Sequence, residues 1–250
     1  MAWKFDKKYT GENPMIGAHR GYCTAYPENT MIAFVEAAKL GVEMMEIDIQ
    51  MSKDNVPMLF HDKTLDAKTT PLTGTIADYT YEELKQVRIG SKIGMEDQPL
   101  ATLEEFCQKF LEYPDMIINV DMNKAELPDI PPVMEILEKY GYLDRVVFNS
   151  VNGDIIRYYK ENSDYFLVGP PDGFYYVRNH YPGIQNEYDS VNVPVNLLTP
   201  EVADVIRSRG QEPMSCCIMN EEEAKLSIEC GCTIALCDDP TVMLKMLGRM

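Results

Sequence analysis

The chain has 250 residues, 45% of them hydrophobic, enough to bury one full core and the usual length of a (β/α)-type barrel. Its formal net charge of -17 argues against nucleic acid or an anionic membrane surface as partner, so an anionic small molecule would need local positive charge. With no apolar run near the roughly 20 residues of a membrane span and seven cysteines, an odd number, a cytoplasmic protein without disulfides or stable membrane association is expected.

Strand-like runs follow in chain order at "MIGAHRG", "EMMEIDIQ", "MIINVDMN", "RVVFNS", "YFLVG", "SVNVPVN", "PMSCCIM" and "TIALCDD", with helix-like runs between most of them. Several helices stop at glycine (Gly41, Gly141, Gly210, Gly231). About eight βα units result, the number that closes a TIM (β/α)8 barrel, and no linker divides residues 1–250. The fifth and sixth units are the weak ones, because "PPDGFYYVRNHYPGIQNEYD" carries no helical pattern. After the second strand, Lys53-Asp54-Asn55 supplies turn residues and Val56 to His61 returns as a hairpin arm, bringing His61 toward Glu46 and Asp48. Residues 63–101 then form a small insertion with a helix predicted at "TYEELKQV".

Chemistry concentrates at strand ends. In "GAHRGYCTAYPENT" the pair His19-Arg20 is flanked by glycines, which present it rather than pack it. Alternation along a strand puts Glu46, Asp48 and Gln50 on one face, and Asn119, Asp121 and Asn123 on one face of the third strand. Turned into a barrel, Glu46, Asp48 and Asp121 would converge, and three carboxylates in low dielectric ask for a cation. An all-oxygen set suits Mg²⁺ or Ca²⁺.

Taken together, "AHRG" with "PENT", "EIDIQMSKDNVPMLFHD", "TLD", "TGTIADYTYEELKQVRIG", "TLEEF" and the closing "CDDP" resemble the glycerophosphodiester phosphodiesterase family over nearly the whole chain. The resemblance implies a TIM barrel, a divalent cation and hydrolysis of a small-molecule glycerophosphodiester to glycerol 3-phosphate and an alcohol. Position by position it implies His19 and His61 as the acid/base pair, Arg20 on the phosphate, and Glu46, Asp48 and Asp121 on the metal. It leaves open which histidine is the acid.

Three positions depart from the family pattern. Asp121-Met122-Asn123 stands where Glu-x-Lys is usual, so Asn123 would face substrate as a neutral amide; Lys4, Lys53 and Lys63 are conceivable replacements for the cation. Cys217 replaces a tryptophan, and Ser150-Val151 replaces Ser-Phe. These changes motivate an alternative, a related phospholipase-like enzyme acting on another phosphodiester or lipid headgroup. A non-catalytic phosphate-ligand binder is the further alternative, against which both retained histidines argue. Glu28-Asn29-Thr30 reads equally as a helix cap or a substrate contact. Cys216, Cys217, Cys230, Cys232 and Cys237 lack zinc-site spacing and read as small buried groups, Tyr175 and Tyr176 as loop residues, and His180 as surface.

Overall fold

In the computed structural model, which describes residues 4, 6, 8–90, 96–171 and 177–250, the chain runs β1 (Met15–His19), α1 (Met31–Lys39), β2 (Met44–Met51), β3 (Pro57–Leu59), β4 (Thr69–Thr70), α2 (Tyr81–Leu84), β5 (Arg88–Ile89), β6 (Gln98–Pro99), α3 (Leu103–Lys109) and β7 (Ile117–Asp121). It continues α4 (Ile130–Lys139), β8 (Val146–Asn149), α5 (Gly153–Asn162), β9 (Phe166–Gly169), β10 (Ser190–Pro194), α6 (Pro200–Ser208), β11 (Glu212–Ile218), α7 (Glu221–Glu229), β12 (Ile234–Cys237) and α8 (Pro240–Met246). Strands β1, β2, β7, β8, β9, β10, β11 and β12 pair in parallel in that order, and β1 pairs with both β2 and β12, which closes the barrel. This is the expected (β/α)8 fold. Between β9 and β10 the described residues hold only a 3-10 turn at Ile184–Asn186, as the missing helical pattern foretold. Tyr175 and Tyr176 lie outside the described residues.

Period-2 alternation sorts the side chains into two layers. Met45, Ile47, Ile49, Ile118, Val120 and Met122 face outward, packed with Phe34, Phe106 and Phe110 of the covering helices in the main core. The inward face changes character along each strand. At its amino-terminal end Met15, Met44, Ile117, Val147 and Ile234 form a separate apolar plug with Tyr9. One step along, Gly17 leaves room for Leu236, since a Cβ there would lie 2.4 Å from its Cδ2. At the carboxyl-terminal end the inward residues are His19, Glu46, Asp48 and Asp121. Sealing the lower end with apolar groups leaves the polar residues at the end where barrel enzymes carry their sites.

The predicted hairpin is present: β3 pairs antiparallel with β2, Ile49 opposite Leu59 and Met51 opposite Pro57. In the segment that follows, β4, β5 and β6 make a small antiparallel sheet, and Met58, Phe60, Leu65, Ile76, Leu84, Val87 and Ile89 share a satellite core. The helix expected at "TYEELKQV" is shorter than its pattern, covering Tyr81–Leu84 with a capping box from Thr80 and Glu83. No described helix is long and apolar enough to cross a membrane.

Candidate active site

Register places the site. Parallel pairing sets His19 beside Glu46, Glu46 beside Asn119, and Asp48 beside Asp121, so residues far apart in sequence arrive at one barrel mouth. Glu46, Asp48 and Asp121 are all buried, and one oxygen from each lies within 4.8 Å of the others. The convergence expected from alternation is therefore present.

The carboxylates respond differently to that crowding. Burial, then the charge of Asp48, pushes Glu46 up to about 8 and Asp121 up to about 7. Burial acts on Asp48 in the same direction, but Arg20, His61 and a hydrogen bond from Asn29 outweigh it and hold this carboxyl below its usual value. Asn29 Nδ2 donates to Asp48 Oδ2 at 2.8 Å, while Asp48 N donates back to Asn29 Oδ1 at 3.2 Å. Thr30, next along, is the N-cap of α1, its hydroxyl accepting from Ala33 N. "PENT" thus serves both roles that the sequence left open: Thr30 caps, and Asn29 holds a carboxylate.

Arg20 sits at φ 60°, in the left-handed region that a non-glycine residue enters at a cost. The turn aims its backbone N–H at Glu46 Oε2 (2.9 Å), its Nη1 at Glu28 Oε1 (3.1 Å) and its Nε toward Asp48 Oδ2 (3.2 Å). Gly21 follows at φ 82°, where a Cβ would meet the Ala33 backbone at 2.6 Å. The flanking glycine is a requirement of close approach to α1.

Each histidine is backed by an acid that sequence reasoning gave no role. His19 Nδ1 lies 2.6 Å from Asp238 Oδ1, because β1 and β12 pair Ala18 with Cys237 and bring the next residues together. His61 Nδ1 lies 2.9 Å from Asp62 Oδ1. Burial opposes charge on His19, but Glu46 and Asp238 outweigh it and raise the imidazole to about 9. For His61 burial wins, lowering it despite Asp48 and Asp62. The two environments thus shift the imidazoles in opposite directions, favouring the charged form of His19 and the neutral form of His61.

Asn123 departs from its expected orientation. The strand ends at Asp121, and the chain turns so that Asn123 Nδ2 and N donate to the two oxygens of Asp121, both at 2.7 Å, with Asn149 Nδ2 adding a third contact at 3.1 Å. Its amide orients a carboxylate. The neighbouring cation is Lys124, whose charge lowers Asp48 and Asp121 and disfavours charge on His61. A lysine directly after Asn123 was the available signal, hidden because it is one residue out of phase with the strand. Lys68, from the segment after His61, joins Glu28 Oε1 (2.9 Å) to Asp62 (3.2 Å) and ties the two histidine-bearing loops together.

Cys217 is not the buried apolar group its spacing suggested. A register shift in β11 between Ser215 and Ile218 puts Cys217 at φ 67° and half-buried, in one cluster with His19 and Asp238. A hydrogen bond with Cys216, against burial and with help from His19, lowers its thiol to about 6. Cys216, Cys230, Cys232 and Cys237 are buried as expected, and His180 is exposed.

The donor set can hold a hard cation. Glu46, Asp48 and Asp121 offer only oxygens, burial leaves them unable to remain fully charged by themselves, and the amide of Asn119, one layer below Asp121, has no partner among the described residues. The other two clusters, His19–Cys217–Asp238 and Glu28–His61–Asp62, already contain acid–imidazole hydrogen bonds.

Known proteins are similar to this chain in sequence and in fold. A glycerophosphodiester phosphodiesterase of Caldanaerobacter subterraneus subsp. tengcongensis is 25% identical over 240 residues, covering 94% of this chain and 98% of that protein. One from Bacillus altitudinis is 35% identical over 153 residues, 58% of this chain and 61% of that protein. Among solved structures, an Oleispira antarctica phosphodiesterase in complex with the product sn-glycerol-3-phosphate superposes with a TM-score of 0.79 at 21% identity, covering 94% of this chain and 97% of that one. A protein from Silicibacter pomeroyi, described as a glycerophosphoryl diester phosphodiesterase, gives 0.78 at 19% identity, covering 94% and 92%. The profile of the Glycerophosphoryl diester phosphodiesterase family matches residues 19–242, from the first histidine of the site into α8, and the chain belongs to that family.

Proposed function

We propose that this enzyme hydrolyses a glycerophosphodiester to glycerol 3-phosphate and an alcohol, with His19 and His61 as acid and base around a divalent cation, Mg²⁺ or Ca²⁺, held by Glu46, Asp48 and Asp121. The observation that carries this reading is the meeting of two imidazoles, each hydrogen-bonded to an acid, with a buried carboxylate trio at a single mouth. A phosphodiester anion repels nucleophiles, and when bound, the cation supplies the charge that neutralises it. Arg20 adds to this: its Nη1 and Nε are engaged by Glu28 and Asp48, and the remaining guanidinium N–H groups are available to a phosphate oxygen.

Proton traffic follows from the two environments. His61, partly exposed and with its charged form disfavoured by burial, accepts a proton from the attacking water as its oxygen bonds to phosphorus. His19 gives its proton to the alcohol oxygen as the P–O bond to that oxygen breaks, leaving glycerol 3-phosphate. Asp238 keeps His19 protonated until then. A cation on the carboxylates would offset the contribution of Glu46 to the His19 charge, and Asp238 would remain as the partner holding the proton. The test is a hydrolysis screen of purified protein over glycerophosphocholine, glycerophosphoethanolamine and a phospholipid, with Mg²⁺, Ca²⁺ or Mn²⁺ added after chelation. Glycerol 3-phosphate from the water-soluble diesters supports the reading. Cleavage of the phospholipid alone would replace it with the lipid-headgroup alternative.

A further inference from the structure

Beside the carboxylate trio the barrel mouth opens into a second cleft of about 750 Å³, lined by Gln50, Lys53, Lys63, Asn123, Lys124 and Arg178 among others. Gln50 lies two residues beyond Asp48 on the same strand face, so the cleft begins roughly 7 Å outward from that carboxylate at about 3.3 Å per residue. Asn123, on the other wall, is the residue that holds Asp121. The cleft is thus adjacent to the proposed reaction centre, sharing with it the residue that holds Asp121.

Its charge runs against the rest of the molecule. The chain carries 40 acidic and 23 basic residues, yet four of the cleft residues are cationic. Arg178 is engaged: it pairs with Glu126 and donates to the carbonyl oxygens of Asn123 and Ala125 at 3.0 and 2.9 Å, which fixes the turn that presents Lys124. Asp129, the acid on the cleft wall, is engaged as well, accepting from Glu126 N at 2.7 Å. Lys53, Lys63 and Lys124 are exposed, and among the described residues no carboxylate stands within ion-pair distance of any of them, although Asp78 and Glu83 feel the charge of Lys53, and Asp48 and Asp121 that of Lys124. Three uncommitted ammonium groups around one concavity, on three different loops, make a site for an anion.

We propose that this cleft receives the leaving alcohol and selects alcohols that carry an anionic group, a phosphate or a carboxylate, a few bonds beyond the scissile ester. The inference rests on the phosphodiesterase reading and specifies its substrate class. Choline, with a fixed positive charge at that distance, is then a poor fit, and added salt weakens the preference because the lysines are exposed.

A matched pair of substrates tests this: glycerophosphocholine, and the diester of glycerol 3-phosphate with 2-hydroxyethyl phosphate, which exchanges the trimethylammonium for a phosphate on the same two-carbon alcohol. At low salt kcat/KM is expected to favour the anionic diester by roughly tenfold or more, the preference falling as salt rises. In the Lys53→Gln/Lys63→Gln double variant the preference falls by several-fold while turnover of glycerophosphocholine is retained. Equal kcat/KM for the two diesters, or a preference that survives the double substitution, overturns the inference and leaves the phosphodiesterase reading standing. If neither diester is hydrolysed, that reading fails, and calorimetric titration with 2-hydroxyethyl phosphate decides the cleft: binding weakened in the double variant supports an anion site, and no binding to the wild-type protein overturns it.

Discussion

Replacing Asp238 with asparagine removes the charge that lies 2.6 Å from His19 Nδ1 while nearly preserving shape. A hydrogen bond to a charged group contributes about 1.5–3 kcal/mol, and one pKa unit corresponds to about 1.4 kcal/mol, so the His19 titration should fall by roughly one to two units. If His19 is the acid, the basic limb of the pH–kcat/KM profile marks its deprotonation and should move to lower pH by that amount. At about pH 8 the variant would then lose roughly two- to tenfold in rate, with almost no loss at about pH 6. The assay is glycerol 3-phosphate release at saturating cation across that range, beside wild type, with thermal unfolding as a control for folding. A profile that superimposes on wild type, or a uniform drop with no movement of the limb, would refute the argument that Asp238 acts by keeping His19 protonated.

Other outcomes follow from the same geometry. His19→Ala and His61→Ala should each lower kcat by roughly a hundredfold or more with unfolding unchanged, and near-normal turnover in either removes that residue from the mechanism. For the chelated protein, Glu46 and Asp121 at about 8 and 7 retain protons that the unfolded chain, near 4.5 and 3.8, has released. Native protein then binds more protons than unfolded protein between about pH 5 and 8, so stability should fall as pH rises through that window. Added Ca²⁺ or Mg²⁺ should reverse the fall, raising Tm by several degrees at about pH 8, whereas Glu46→Gln should show a shallower fall, the part carried by Asp121, and a smaller response to the cation; a flat Tm–pH curve for the apoprotein speaks against the trio. Asn123→Ala removes the Nδ2 donor to Asp121 Oδ2 while keeping the backbone N–H on Oδ1, and should weaken cation affinity several-fold in a calorimetric titration, an effect absent if the amide only faces substrate. Lys124→Met should lower kcat/KM by roughly three- to tenfold, and a neutral result would leave the site without that cation.

Much of this site could be read from the chain because strand periodicity is strict. Once Glu46, Asp48 and Asp121 are placed on inward faces, a closed barrel brings them together whatever the details of helix packing. The two histidines were legible for another reason: glycines around His19 and turn residues before the His61 arm are local signals. What escaped depends on register between distant strands. Asp238 meets His19 only because Ala18 pairs with Cys237, and nothing in the sequence across that separation of 219 positions carries a trace of the pairing. Cys217 was misassigned because a bulge breaks the alternation of β11. Asn123 turned back onto Asp121, and Lys124, which the sequence reading gave no role, came to the site instead of Lys4, Lys53 or Lys63, because β7 ends at Asp121 and strand periodicity ceases to govern direction beyond it. The engagement of Lys68 belongs to a segment of short elements, where pattern has little to say.

The most direct measurement follows the phosphorus. Chelated protein is incubated with glycerophosphocholine and the reaction watched by ³¹P NMR before and after adding Mg²⁺ or Ca²⁺, with His19→Ala alongside. The account predicts no reaction before the cation, conversion of the diester signal to that of glycerol 3-phosphate after it, and none at a comparable rate from the variant. Phosphocholine as product, equal conversion by chelated protein, or equal conversion by His19→Ala would contradict it.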